Sequence, residues 1–220
     1  MIIPLSYPLT AESPLYPNTP APVIHSLRSM ANGDSANASA ITVSAHSGTH
    51  IDAPFHFCKK GKTIAECLTN TTIFFPAYCL DVGRMNDEEI GVRDLDHLVS
   101  GIIDADALLI RTGGHRLRSE DPARYRNDHP WISPELPEFL RKKCPRLRVF
   151  GIDQISVSSI LHRDAGHECH RKFLCGEKPL LILEDLNLAD IGTLNAFRLH
   201  VYPFLLGSND GTPVIVLAET

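Results

Sequence analysis

The chain has 220 residues, 43% hydrophobic and 21% charged, with 21 Lys and Arg against 26 Asp and Glu for a formal charge of −5. That fits one ordinary globular domain able to bury its own core. It leaves no basic stripe for a nucleic-acid surface and no polybasic membrane anchor, and no apolar run approaches the ~18 residues of a membrane span. The opening "MIIPLSYPLT" lacks the basic and long apolar parts of a signal peptide. The six cysteines, Cys58, Cys67, Cys79, Cys144, Cys169 and Cys175, include no CxxC pair. They are expected to be reduced and mostly structural, in a cytoplasmic protein.

The proline-rich first twenty residues favour extended segments and turns. "VIHSLRSM" and "SAITVSAH" show the partial alternation of half-buried strands. "IFFPAYCLDVG" reads as a more buried strand, Ile90, Leu95 and Leu98 fall at helical spacing, and "ADALLIRTGG" is a buried strand closed by a glycine pair. Residues 112–133 show no periodicity and are expected to be a long loop, with Tyr125 and Trp131 available to shape an aromatic pocket. Ser133-Pro134-Glu135 starts a helix running to about Cys144, with Ser as cap and Pro at the first helical position. "LRVFGID" is the next strand, "GHECHRKFLCG" a helix stopped by Gly176, and "PLLILED" a strand. "LHVYPFLL" and "VIVLAE" form a terminal hairpin around the turn "GSNDGTP". Residues 1–220 thus read as a single α/β domain with a mixed sheet, without internal repeats.

"HSGTHIDAPFH", residues 46–56, gathers three histidines and an aspartate. On a straight strand His46, His50 and Asp52 share a face, yet four strand steps separate the two imidazoles by roughly 13 Å. Gly48, the β-branched residues and Pro54 disfavour a helix. A strand bent at Gly48 would turn the three side chains toward one point, with His56 approaching from another side. Two imidazoles and a carboxylate suit Zn, Mn or Fe(II), and three protein ligands leave room for water and substrate. Spacing alone leaves a metal site, a catalytic cluster and a polar surface loop all open.

The same stretch resembles HxGTHxDAPxH, the hallmark of the cyclase family of metal-dependent hydrolases, which includes the bacterial kynurenine formamidases (arylformamidases) and the isatin hydrolases. "PLSYPLTAESPLYPNTP", "LLIRTGG", "VFGIDQISV", "HRKFL", "LILEDLNL" and "GSNDGTPVIV" extend the resemblance over nearly the whole chain. It implies a swivelling β/β/α-type fold, a homo-dimer or homo-tetramer, and a centre of one or two divalent ions, Zn or Mn. Carried over by position, His46, His50 and Asp52 are the first ligands, with Asp52 bridging if a second ion binds. His170 and Glu184 match the second-site ligands, and His56 matches the acid/base residue. The segment between His170 and Glu184 is longer than the family's spacing, with "CGEKP" as the insertion. His167, one helical turn earlier, therefore competes with His170 for the ligand role, and His162 competes more weakly. An ion pair with an arginine is the alternative for Glu184, and a strand cap the expected place of Asp153.

The function implied is hydrolysis of a small amide by a metal-activated water, the substrate being an aryl formamide such as N-formylkynurenine. Hydrolysis of a cyclic amide or lactone, as in isatin hydrolases, is the alternative. A non-catalytic metal or small-molecule binding protein is the alternative of another class. No GxSxG elbow, Walker A loop or GxGxxG turn is present to support serine hydrolase or nucleotide chemistry.

Overall fold

In the computed structural model, which describes residues 1–68, 71–84, 86–192 and 195–220, the apolar runs become strands of one closed, mixed sheet. The chain opens with β1 (Ile2–Pro4) and a hairpin of β2 (Val23–Arg28) and β3 (Ala38–Thr42). β4 (His50–Asp52) leads into a 3-10 turn at Pro54–His56 and the short helix α1 (Ile64–Leu68). β5 (Ile73–Asp81), β6 (Glu89–Ile90), α2 (Val92–Val99) and β7 (Ala107–Arg111) follow. Then come α3 (Gly114–Glu120), α4 (Pro122–Asn127), β8 (Trp131–Ile132), α5 (Leu136–Lys143) and β9 (Val149–Ile152). α6 (Arg163–Leu174), β10 (Leu181–Glu184) and the terminal hairpin of β11 (Phe197–Pro203) and β12 (Gly211–Glu219) complete the fold.

Strands β12, β11, β5, β7, β9, β10 and β4 pair in that order, and pairing of β4 with β12 closes the ring. β1 adds to the far end of β12. The run β5-β7-β9-β10 is parallel and the other pairings of the ring are antiparallel. The α/β mixed-sheet expectation is met.

Period-two alternation divides the ring's strands between two cores. Ile51, Ala107, Leu109, Leu183, Val201 and Val216 fill the barrel interior. Leu108, Ile110, Phe150 and Ile182 point outward and are covered by Leu95 and Val99 of α2, Leu136 and Leu140 of α5, and Cys169, Phe173 and Leu174 of α6. Phe150 and Phe173 pack with ring centroids 4.7 Å apart, a contact worth about 0.5–1.5 kcal/mol beyond the area it buries. α6 is thereby fixed over the outer face of β9 and β10. Among the described residues no helix is long and apolar enough to cross a membrane.

Four expectations are corrected. The segment 112–133 is not a loop: it contains α3, α4 and β8. Asp121 caps α4 by accepting from the Arg124 amide at 3.1 Å, and Pro122 occupies its first turn. With seven and six residues, these helices are too short to show an apolar period. α5 begins at Leu136, with Glu135 rather than Ser133 at its cap position and two residues later than the expected first helical residue Pro134, because the Ser133 amide donates to the Ile90 carbonyl and keeps that residue tied to the strands. β2 and β3 pair, but β2 is exposed along its whole length rather than half-buried, and in β3 only Ala38 and Ala40 are partly covered. Finally, Cys58 and Cys175 form a disulfide across 117 residues, while Cys67, Cys79, Cys144 and Cys169 remain free. Sequence spacing carries no trace of that pair, which exists because α6 ends beside the turn after His56.

Candidate metal centre

The predicted bend lies at Gly48, with φ of 61°. This is a left-handed conformation open to glycine, and a Cβ there would stand 2.9 Å from the Leu9 Cδ1. Beyond the bend, Ile51 enters the barrel, so alternation puts His50 and Asp52 on the outer, helix-covered face. Antiparallel register sets Glu184 opposite His50 and Ile182 opposite Asp52. α6 brings His170 down onto the same spot. β4 thus meets α6 and β10, from the far end of the chain, over one patch of sheet.

The ring nitrogens are sorted by backbone carbonyls, which only accept. His50 donates through Nδ1 to the Gly48 carbonyl at 2.8 Å, leaving Nε2 at 3.3 Å from Glu184 Oε2 and 3.5 Å from Asp52 Oδ1. His170 donates through Nδ1 to the Gly166 carbonyl at 2.8 Å, leaving Nε2 at 3.6 Å from Glu184 Oε1 and 3.8 Å from Asp52 Oδ2. His46 Nδ1 lies 2.8 Å from Asp52 Oδ1. Glu184 Oε1 also accepts from the Ser156 hydroxyl and the Val157 amide. Glu184 therefore bonds imidazoles, a serine and an amide, and no arginine pairs with it among the described residues.

His50, Asp52, His170 and Glu184 are all buried. Burial opposes ionisation of Glu184, but hydrogen bonds from His170 and His50 hold its carboxyl well below the usual range. Burial likewise opposes ionisation of Asp52, and His46 holds its carboxyl low. Burial disfavours charge on His46 too, yet Asp52 and Asp210 outweigh it and raise that imidazole to about 10. His56 moves the other way, lowered chiefly by burial.

Asp52 Oδ2 is buried without a hydrogen-bond partner among the described residues. An orphaned carboxylate oxygen is costly unless something unrepresented by protein atoms pairs with it. Donor atoms of His46, Asp52 and His56 lie within 4.8 Å of one another, as do those of His50, Asp52 and Glu184. Imidazole nitrogens and carboxylate oxygens with two outward-turned Nε2 atoms fit a divalent cation.

The cluster forms the floor of a cavity of about 310 Å³ walled by Tyr16, Phe57, Ile155 and His167. His170 reaches the cluster, whereas His167 stays exposed at the rim, 5.8 Å from the Phe57 ring. His162 is remote, bonded to Asp87 and stacked on Trp131. Neither Trp131 nor Tyr125 lines the cavity. Tyr125 is buried beneath it, donating to Asp185 Oδ1 at 2.6 Å. The turn Thr112–Gly114 likewise does not reach the cavity; its amides donate to Asp153, which caps the start of α3 from the end of β9.

Two features escape the sequence reading. Asp210 contacts both His46 and His56, at 3.0 and 3.1 Å. It sits in "GSNDGTP", where turn propensity masks any other role. Arg118 pairs with Asp185 through two bonds at 2.7 and 2.9 Å and lies 3.8 Å over the Tyr7 ring, locking the residue after Glu184.

Residues 3–159 match the family model described as "Putative cyclase". Over 215 residues the chain is 34% identical to the kynurenine formamidase of Geobacillus thermodenitrificans (strain NG80-2), covering 96% of this chain and 94% of the relative. Its fold is similar to isatin hydrolase A from Labrenzia aggregata bound to benzyl benzoate, with a TM-score of 0.81 at 21% identity, covering 99% of this chain and 93% of that one. A structure from Bacillus stearothermophilus, described as a "predicted metal-dependent hydrolase", gives a TM-score of 0.77 at 24% identity, covering 99% and 97%. The chain belongs to the cyclase family.

Proposed function

We propose that the protein is a metal-dependent hydrolase of small amides, with an aryl formamide such as N-formylkynurenine as preferred substrate. The observation that carries this is the buried Asp52 carboxylate, whose Oδ1 faces the imidazoles of His46 and His50 while Oδ2, 3.8 Å from His170 Nε2, has no hydrogen-bond partner among the described residues, at the floor of a cavity that also holds His56. The similarity to a kynurenine formamidase over nearly the whole chain supports the substrate class.

His46, His50 and Asp52 would hold one cation, and Asp52, His170 and Glu184 a second, with Asp52 shared. A donor set of nitrogen and oxygen without thiolate suits Zn or Mn. When bound, the cation supplies Lewis acidity, easing deprotonation of water and polarising the amide carbonyl. The rings of Tyr16 and Phe57 and the Ile155 side chain offer an apolar wall to an aryl group and limit water there. His56 is kept neutral by burial, so Nε2 can take the proton as water adds to the carbonyl carbon. The same nitrogen returns it to the leaving nitrogen as the C–N bond breaks, giving a carboxylic acid and an amine.

An assembly of identical subunits is part of this reading. Ile24, Leu27 and Ile41 on β2 and β3 are 73, 64 and 69% exposed. Ile24 and Ile41 face each other in the register of β2 and β3, and this exposed apolar pair supports burial against another copy, in a dimer or tetramer.

The test is turnover of a panel of formanilides, lactams, imides and lactones by purified protein supplied with Zn or Mn. Hydrolysis of the formamides, with His56→Ala keeping its metal but losing roughly 10²–10⁴ in kcat, is expected. Thermal stabilisation by these compounds without hydrolysis of any would overturn the enzymatic reading.

A further inference from the structure

A carboxylate oxygen can accept hydrogen bonds but never donate one. Asp210 Oδ2 stands 3.0 Å from His46 Nε2 and 3.1 Å from His56 Nδ1, so each of those nitrogens donates a proton to it, and His46 Nδ1 by the same rule donates to Asp52 Oδ1 at 2.8 Å. The two imidazoles stack with centroids 4.0 Å apart and planes 28° from parallel, which lets one oxygen serve both. The backbone holds the arrangement: the Asp210 carbonyl accepts from the Ala53 amide at 2.8 Å, tying the head of β12 to the chain leaving β4. Gly211 completes it, since a Cβ there would come within 2.4 Å of the His46 ring.

The consequence differs for the two rings. On His46, a proton fixed at Nε2 commits Nδ1 to the Asp52 side, where it acts as a donor only until that nitrogen's own proton leaves. On His56, a proton fixed at Nδ1 leaves Nε2 as the lone pair, and Nε2 makes no protein hydrogen bond among the described residues. A neutral imidazole free to choose would place its proton on either nitrogen, and the Nε2–H form could not act as base. An ordinary surface ion pair does not explain this geometry, because a half-buried carboxylate seeking solvent would not gather two stacked rings on one oxygen.

Resting on the hydrolase reading above, we propose that Asp210 is a positioning residue that sets the tautomers of His46 and His56, giving the first a metal-facing Nδ1 and the second a free Nε2 in the cavity. Its place in the turn, rather than in the histidine-rich stretch, lets the terminal hairpin hold both rings in register with β4.

The tautomer is read directly by long-range ¹H–¹⁵N correlation spectra of the histidine rings in the Zn-loaded protein, the His56 signals being assigned by their loss in His56→Gln. Wild type is expected to show His56 protonated at Nδ1. Asp210→Leu removes the acceptor altogether, so nothing holds the proton at Nδ1 of His56 and it moves to Nε2. Its kcat for a formanilide then falls by about 10²–10⁴ with KM within a few-fold of wild type. Zinc affinity falls by about 10–100-fold through His46, and excess zinc does not restore kcat. Asp210→Glu is expected to retain the Nδ1 tautomer and recover part of the rate. His56 still protonated at Nδ1 in Asp210→Leu would overturn the proposal, as would a shifted tautomer with wild-type kcat. A shifted tautomer in a protein whose wild type cleaves no amide would support the positioning role and refute the hydrolase reading instead.

Discussion

Glu184 and His50 face each other across the antiparallel pair β4–β10, with Glu184 Oε2 3.3 Å from His50 Nε2. Strand pairing, not local sequence, makes this contact, and it places a carboxylate from the end of a buried strand against an imidazole from the family motif. Glu184→Gln keeps the volume and removes the charge. Metal content by mass spectrometry is expected to drop, and the rise in thermal midpoint on adding zinc to shrink. Unchanged zinc loading in this variant would remove Glu184 from the ligand set.

Metal uptake is expected to release protons. Burial works against charge on His46, but Asp52 and Asp210 prevail and raise its pKa from 6.5 to about 10, so near neutral pH the metal-free ring is an imidazolium. A ligand must be neutral, so the cation bound through His46 displaces a proton and its apparent affinity rises with pH toward about 10. The sign for stability is opposite in the metal-free protein. A raised histidine pKa stabilises the fold fully below 6.5, and that contribution is lost as pH rises through about 10. Calorimetry in buffers of different ionisation enthalpy measures the proton release; none near neutral pH would contradict the arrangement.

The Cys58–Cys175 disulfide joins the turn after His56 to the end of α6, closing 117 residues of chain. Cys58→Ser is expected to lower stability by about 2–4 kcal/mol, measured by denaturant unfolding. Reducing agent should destabilise wild type similarly and leave the variant unaffected. Equal response of both would show that the bond does not form in solution, the expected state in a reducing compartment.

Beneath the metal cluster, Asp185 is buried at φ of 52° and held by Arg118 and Tyr125. Arg118→Met removes the partner and leaves a carboxylate buried between Tyr125 and the backbone of β10. A loss of about 3–5 kcal/mol is expected from breaking such a buried pair. Arg118→Met with Asp185→Asn should recover much of it, because the stranded charge is then gone. A single variant as stable as wild type would show that the pair carries no structural weight.

How much of this was legible beforehand follows from the range of the interactions. The bend at Gly48, the shared face of His50 and Asp52 and the terminal hairpin depend on neighbours a few residues apart, and alternation or turn chemistry reveals them. His170 was placed by the motif it resembles, while its advantage over His167 became physical only with α6 packed on β9 through Phe150 and Phe173. Asp210 and the disulfide depend on chain segments more than a hundred residues apart, and no local pattern encodes them. The aromatic character of Tyr125 suggests a pocket residue, but its hydroxyl is consumed by Asp185. The short helices α3 and α4 were invisible to periodicity because neither completes more than two turns.

The most direct measurement is hydrolysis of N-formylkynurenine by chelator-stripped protein as zinc or manganese is returned, with wild type and Asp52→Ala side by side. No turnover is expected without metal, with recovery in wild type on its return and neither metal retention nor activity in Asp52→Ala. Turnover by stripped wild-type protein, or an Asp52→Ala variant that stays fully loaded and active, would contradict that expectation.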